Sequence, residues 1–319
     1  SPPRYRGVMS LDLPLVRGHV DPAVALRDSV APAALVRAGE ADAIVVDAAG
    51  FVLLDEAGER RADTPVLRRL SGDEAARGLE GATASFIGVA GGRSVVAIET
   101  SRDQVRGHWE HLRAVGWCLD GDDAALALTA LALAGWHANY RYCPRCGAAV
   151  RLVSGGWAAR CETCDRLEYP RQDPAIIVLV QDHDGRVLLA HNALWQPGFV
   201  SIIAGYVEAG ESPDVTVARE VAEEVGVDIE TPTYVATQPW PFGRSQMMGY
   251  RARTLEERPT PQADGVEIEW ARFYSREELT HALESGEISA PGRASIAYAL
   301  LREWYGADLP SGPEGAGRK

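Results

Sequence analysis

Hydrophobic positions along the chain change period several times, and each change marks a boundary. Up to about residue 138, short alternating runs at 44–46, 51–54, 85–89 and 94–99 predict strands, with Gly91 and Gly92 turning between the last two. An Ala- and Leu-rich stretch predicts a helix over 122–137, opened by Gly121-Asp122. From residue 170 the pattern is different. An almost unbroken apolar run at 175–181, a turn at 182–185 and a second run at 186–190 predict a hairpin. A glycine-punctuated strand region at 200–205, a helix, further strands and two late helices follow. The expected fold class is α+β. An N-terminal α/β accessory domain (1–138), a cysteine-bearing module (139–169), a larger α/β domain (170–306) and a disordered Pro/Gly-rich tail (307–319) make up the chain.

Composition narrows the function classes. The apolar fraction of 46% and eight tryptophans suit packed domains, and the net charge of −13 leaves no global basic footprint for duplex DNA. The longest apolar stretch, 124–136, is shorter than the roughly 20 residues a membrane span needs, so no membrane partner is expected. The opening Ser-Pro-Pro-Arg has no apolar signal core, which predicts a processed end and a cytoplasmic location.

Four of the five cysteines form two pairs, Cys143-Pro-Arg-Cys146 and Cys161-Glu-Thr-Cys164, fourteen residues apart. Two such knuckles bring four soft thiolates to one tetrahedral centre, which selects Zn2+; with all four positions filled, the metal is structural. The competing reading is a pair of redox motifs. Cys118, alone beside Trp117, reads as a buried apolar residue.

The strongest chemical signal lies at 205–227. Ser212, Pro213 and Gly226 suit the cap, first turn and end of a helix, and Ala218, Val221, Ala222 and Val225 form its predicted buried stripe. Glu220, Glu223 and Glu224 fall at i, i+3 and i+4, which gathers three carboxylates on one face. Such crowding is costly unless a cation joins them, and hard oxygen ligands suit Mg2+ or Mn2+. A solvated acidic helix face is the alternative.

The same segment matches every fixed position of the Nudix box, G-x5-E-x7-R-E-U-x-E-E-x-G-U, where U is bulky and aliphatic, so the chain resembles the Nudix hydrolases. The resemblance implies an α/β/α sandwich that cleaves nucleoside diphosphate derivatives with divalent metal and water. It implies that Glu220 and Glu224 bind the metal, joined by the Ala204 carbonyl. Glu223 is then a further ligand or an aid to water activation, while Gly205, Glu211 and Arg219 brace the loop and helix.

Downstream, Thr237-Gln238-Pro239-Trp240-Pro241-Phe242-Gly243-Arg244-Ser245 is similar to the S-Q-P-W-P-F-P-x-S motif of the NADH pyrophosphatase (NudC-type) branch, which also carries a four-cysteine zinc ribbon before the hydrolase domain. That resemblance implies hydrolysis of NAD(H) to nicotinamide mononucleotide and AMP, removal of NAD caps from RNA 5′ ends, and a homodimer. It also makes Glu267 an added metal ligand or base, with an outward strand charge as the alternative, and Tyr169, Tyr206, Arg113 and Ala297 substrate contacts. Trp240, Phe242 and Tyr206 offer flat faces for a base, and Gln238 and Ser245 offer hydrogen bonds; packing at a dimer interface is the other use for Trp240 and Phe242. Thr237 and Tyr206 keep the hydroxyl and the ring of the branch's Ser and Phe. Gly243 replaces a proline and loosens the segment, which bears on substrate preference. Arginines 141, 145, 151, 160, 166 and 171 crowd the cysteine module, either to meet an RNA tail or as a solvated surface. Two other readings stand beside this one: a hydrolase of a related dinucleotide, and a non-catalytic nucleotide-sensing regulator.

Overall fold

The computed structural model describes residues 11–55 and 64–312. They form two compact units, one of 14–55, 64–172 and 239–244, the other of 11–13, 173–238 and 245–312.

In the first unit the chain runs through α1 (Pro32–Arg37), β1 (Ala41–Asp47), β2 (Phe51–Leu54), α2 (Gly72–Gly78), β3 (Thr83–Ala90), β4 (Arg93–Glu99), β5 (His108–His111), α3 (Leu112–Val115) and α4 (Gly121–Asn139). The strands form one sheet in the order β3-β4-β1-β2-β5, in which only β1 and β4 are parallel. Ala43, Val45, Val96 and Ile98 pack with Val36 of α1, with Ala75 of α2 and with Leu79 at its C-terminal cap. Ile44 and Val46 are equally buried, and α4 lies on β1, β3 and β4. Both faces are therefore covered, as the apolar runs require. Helix α4 begins one residue earlier than the glycine signal suggests. Its cap is Asp120, whose carboxylate accepts the Asp122 N–H at 3.0 Å.

The cysteine module folds as three antiparallel strands, β6 (Val150–Val153), β7 (Ala158–Cys161) and β8 (Leu167–Glu168). Gly147 turns the first knuckle at φ 74°; in the second, Asp165 takes the corresponding left-handed position at φ 57°.

The second unit contains β9 (Asp173–Gln181), β10 (Val187–Asn192), β11 (Ile203–Tyr206), α5 (Pro213–Val225), β12 (Thr233–Trp240), β13 (Ser245–Arg253), β14 (Ile268–Tyr274), α6 (Arg276–Glu284) and α7 (Ile296–Tyr305). Its sheet runs β12-β13-β9-β10-β14, with β11 paired to β9 and β13 parallel to β9. The expected hairpin turn is present, but Gln181 and Val187 alone are in paired register between β9 and β10. Beyond the turn β10 separates and runs along β14, while β9 takes β11 and β13 as partners. Ile176, Val178 and Val180 pack with Val217, Val221 and Val225 of α5. In β13, Gly249 lets the backbone approach Ile296 and Leu300 of α7. Two covered faces explain the unbroken apolar run of β9, and burying each α5 valine contributes about 1.5–3 kcal/mol. The mixed α+β class expected from the sequence is what forms. Residues 307–312, expected in a disordered tail, include a buried Leu309 and an Asp308 paired with Arg293 and Arg302. Residues 313–319 lie outside the described residues.

Candidate active site

The acidic helix α5 sits against β11 and β9. Its inner stripe is Val217, Val221 and Val225, with Thr216 and Glu224 beside them; Ala218 and Ala222, expected inside, are exposed. The stripe follows the i, i+4, i+8 valines because three branched side chains bury more area than alanines can. Ser212 stands at the cap without making a side-chain cap bond, and Gly226 closes the helix at φ 63°.

This rotation divides the three box glutamates. Glu224 is buried, Glu220 is nearly so, and Glu223 has 63% of its side chain exposed. Burial pushes the Glu224 carboxyl up to about 8, helped by the negative charges of Glu267, Glu220 and Asp264. Burial also raises Glu220, with Glu223 and Glu267 adding to the shift and Arg219 opposing it. Glu267 is exposed in the loop just before β14, and its carboxylate accepts from Asn192 at 3.4 Å.

A glycine makes room for this arrangement. A Cβ at Gly205 would lie 2.1 Å from both Cδ and Oε1 of Glu220, so that carboxylate rests directly over the β11 backbone. Ala204 is the neighbouring residue of β11, paired to Ile177.

Arg219 and Glu211 hold the loop to the helix. The guanidinium donates to Glu211 at 2.9 and 3.0 Å, to Glu223 at 3.0 Å and to the Tyr206 carbonyl at 3.1 Å, and lies 2.9 Å from a Glu220 oxygen. Glu211 also accepts from Thr216 at 2.7 Å and from the Glu208 N–H at 3.1 Å. The Arg219 bonds, followed by the Thr216 bond, pull the Glu211 carboxyl down to about 2. Arg219 is thus the nearby cation, and the other carboxylates of the cluster are left to share it or go without.

Asp264 carries no sequence signal that would place it in this group. Its carboxylate accepts the N–H groups of Val266, Glu267 and Ile268, and its own N–H donates to the Glu224 carbonyl at 3.1 Å. It ties the Glu267 loop to the end of α5. The Asp264-Gly265 dipeptide signals only a turn.

The residues 237–245 divide in use. Gln238 is fully buried and donates to the Ala294 carbonyl at 3.0 Å, which directs its side chain into the fold rather than toward a ligand. Ala297, on α7, is buried as well. Tyr206 is exposed, with its hydroxyl 3.4 Å from that of buried Ser245. Residues 239–244 cluster with the first unit. There the Phe242 ring meets Trp240 edge-on at 4.8 Å and His111 at 4.8 Å, under the Arg113 guanidinium at 4.6 Å. Arg113 and His111 line a cleft of about 620 Å3 with Gly50, Asn139, Pro241, Phe242, Gly243 and Arg244. His111 belongs to no sequence motif; desolvation and the charge of Arg113 lower its pKa. The left-handed residue of this turn is Arg244, at φ 61°, and not Gly243. Tyr169 is exposed at the end of the cysteine module.

The four cysteine sulfurs lie within 4.8 Å of one another, with Cys143–Cys164 at 3.7 Å and Cys146–Cys161 at 3.5 Å. Tetrahedral Zn–S bonds place sulfurs about 3.8 Å apart, so the donor set fits zinc. Among the described residues no other group of three or more His, Cys, Asp or Glu ligands is as tightly gathered. No helix among them is long and apolar enough to cross a membrane.

A family model of the NUDIX domain matches residues 171–294, and one of the NADH pyrophosphatase zinc ribbon domain matches residues 138–169. The NAD-capped RNA hydrolase NudC of Mycobacterium bovis is 36% identical over 235 residues, covering 69% of this chain and 75% of that protein. The NAD-capped RNA hydrolase NudC of Stutzerimonas stutzeri is 38% identical over 217 residues, covering 68% and 74%. The NAD-capped RNA hydrolase NUDT12 of Homo sapiens is 36% identical over 194 residues, covering 57% and 42%.

Proposed function

This chain belongs to the NudC-type Nudix hydrolases, and on that premise we propose that it hydrolyses the pyrophosphate of NAD(H) to nicotinamide mononucleotide and AMP, and removes NAD caps from RNA. The observation that carries the reading is the acidic cluster around α5: buried Glu224 carries the charge pressure of Glu267, Glu220 and Asp264, while the Arg219 guanidinium is shared among Glu211, Glu220 and Glu223. Buried carboxylates without a counter-ion are unfavourable, and hard divalent cations suit such a donor set. Glu220, Glu224 and Glu267, with the Ala204 carbonyl, would hold Mg2+ or Mn2+. When bound, the metal supplies charge for the diphosphate oxygens and acidifies a water.

The chain's own groups do the rest. In the reaction a water oxygen forms a bond to one phosphorus, the bridging P–O bond breaks, and the water proton passes to a carboxylate. Glu223, exposed beside the cluster, is available either for that proton or as a further ligand. Glu211 and Arg219 hold the α5 approach rigid. Trp240, Phe242, His111 and Arg113 offer a cationic aromatic surface for a base or phosphate; Tyr206 and Ser245 offer hydroxyls; Tyr169 offers an exposed ring. The resemblance to the same branch adds Gln238, Pro239, Pro241, Gly243, Arg244 and Ala297 to the proposed substrate-binding set. Zn2+ on the four cysteines holds the ribbon together. A homodimer and a cytoplasmic location complete the reading, supported by the resemblance to the same branch.

The test compares NADH, NAD+, ADP-ribose and NAD-capped RNA as substrates with Mg2+ and with Mn2+. NADH and capped RNA should release a mononucleotide and AMP or a 5′-phosphorylated RNA. Equal turnover of ADP-ribose would overturn the NAD(H) assignment.

A further inference from the structure

We propose that the outer face of the zinc ribbon is a docking surface for the single-stranded RNA that follows the cap, a reading that rests on the RNA substrate proposed above. Strand register defines the face. Arg151 is paired with Arg160, and Arg160 with Leu167, so these three side chains share one side of the β6–β7–β8 sheet. Tyr142 bridges Ala149, two residues before Arg151, and alternation puts it on that side as well; Tyr169 follows Leu167 by the same step. The opposite parity holds Val150, Leu152, Ala159, Cys161 and Glu168, of which Val150 and Leu152 line a cleft with Glu99 and His137.

The two faces differ sharply in exposure. Tyr142 is 67% and Tyr169 59% exposed, although tyrosine rings are normally drawn into packing. Among the described residues Arg151 and Arg145 make no ion pair, whereas Arg160 is held by Asp165, and Arg166 and Arg171 are both held by Glu168; Arg141, adjacent to Tyr142, lines the cleft of the opposite face. Residues 139–171 contain six arginines against Glu162, Asp165 and Glu168, in a chain whose net charge is −13. A positive, aromatic-studded sheet on a strongly acidic protein complements a flexible polyanion whose bases can stack on exposed rings. Duplex RNA, with its bases already stacked, gains only the charge contribution from such a face.

The probe is a fluorescent 10-nucleotide single-stranded RNA with a 5′-monophosphate, measured by anisotropy against the zinc-loaded full chain. Wild type should bind it with marked salt dependence. Tyr142→Ala should weaken binding by roughly five- to tenfold, as the loss of one stacked base does. The double substitution Arg145→Ala and Arg151→Ala should lower the slope of log K against log salt by about 0.7 for each phosphate no longer neutralised. NADH turnover should be unchanged in these variants, and the KM for NAD-capped RNA should rise. Unaltered RNA binding in all variants would overturn the proposal. So would a changed sedimentation coefficient, which would make this face an interface with another protein chain. Because NADH turnover is measured alongside, failure of the surface is separate from failure of the hydrolase reading, in which wild type turns over neither substrate.

Discussion

Replacing Gly205 by alanine isolates the link between fold and chemistry at the acidic cluster. The new methyl would lie 2.1 Å from Cδ and Oε1 of Glu220 and 2.6 Å from its Cγ, where real Cβ atoms essentially never come closer than 3.0 Å to a neighbour. Something must therefore move by about 1 Å, and the nearest atoms belong to the end of a side chain rather than to backbone. Such a chain end swings aside at modest cost, so the expected loss of stability is about 1–2 kcal/mol, or a drop in Tm of roughly 2–8 °C. Function is far more sensitive: displacing a proposed metal ligand by about 1 Å should reduce kcat on NADH by about 10²-fold or more. The assay is NADH turnover across a Mn2+ titration, with circular dichroism and a thermal melt on the same protein. The apparent metal affinity should weaken while the spectrum and cooperative melt persist. Near-wild-type kcat and metal dependence in Gly205→Ala would refute the proposed role of Glu220, and with it the reason for glycine at this position.

Other outcomes follow from the same geometry. Glu224→Gln should abolish turnover yet stabilise the metal-free protein at high pH. The folded-state pKa of Glu224, about 8, lies above its unfolded value, so the metal-free fold loses stability as pH rises from about 4.5 to 8, by an amount on the order of 3 kcal/mol. Thermal melts of both proteins in chelator from pH 5 to 9 should converge at the acid end and diverge at the alkaline end; parallel curves would contradict the buried-carboxylate picture. Cys161→Ser should lower zinc content below the one atom per chain expected for the wild type and destabilise the ribbon, read by metal analysis and protease sensitivity; undiminished zinc would exclude the four-thiolate site. Arg113→Ala should raise the KM for NADH several-fold with little change in kcat, since its guanidinium lies over Phe242; an unchanged KM would remove that aromatic surface from substrate binding.

Much of the fold is legible in the sequence because its signals are local. The strands at 44–46, 51–54, 85–89 and 94–99 lie inside β1 to β4, and the cysteine spacing anticipates the ribbon. What the sequence hides depends on pairing at long range. The β9–β10 turn looks like a hairpin, yet each strand finds its main partners elsewhere in the sheet. The phase of α5 differs from the pattern's expectation because alanines and valines count alike in a helical period, although the valines bury more area; that choice decides that Glu224 goes in and Glu223 stays out. Asp264 and His111 carry no motif, and their positions follow from loops and strands brought together by folding. The place of Gln238 in a motif suggests a ligand contact, whereas its amide bonds to Ala294 inside the fold.

The most direct test of metal-dependent cleavage at the pyrophosphate is product analysis of NADH incubated with the purified protein in H2(18)O, with Mg2+ or Mn2+ and then with excess chelator. Reduced nicotinamide mononucleotide and AMP in equal amounts, with one 18O on a single product phosphate and no reaction in chelator or in Glu224→Gln, is the expected result. Release of nicotinamide with ADP-ribose, or cleavage that continues without divalent metal, would contradict it.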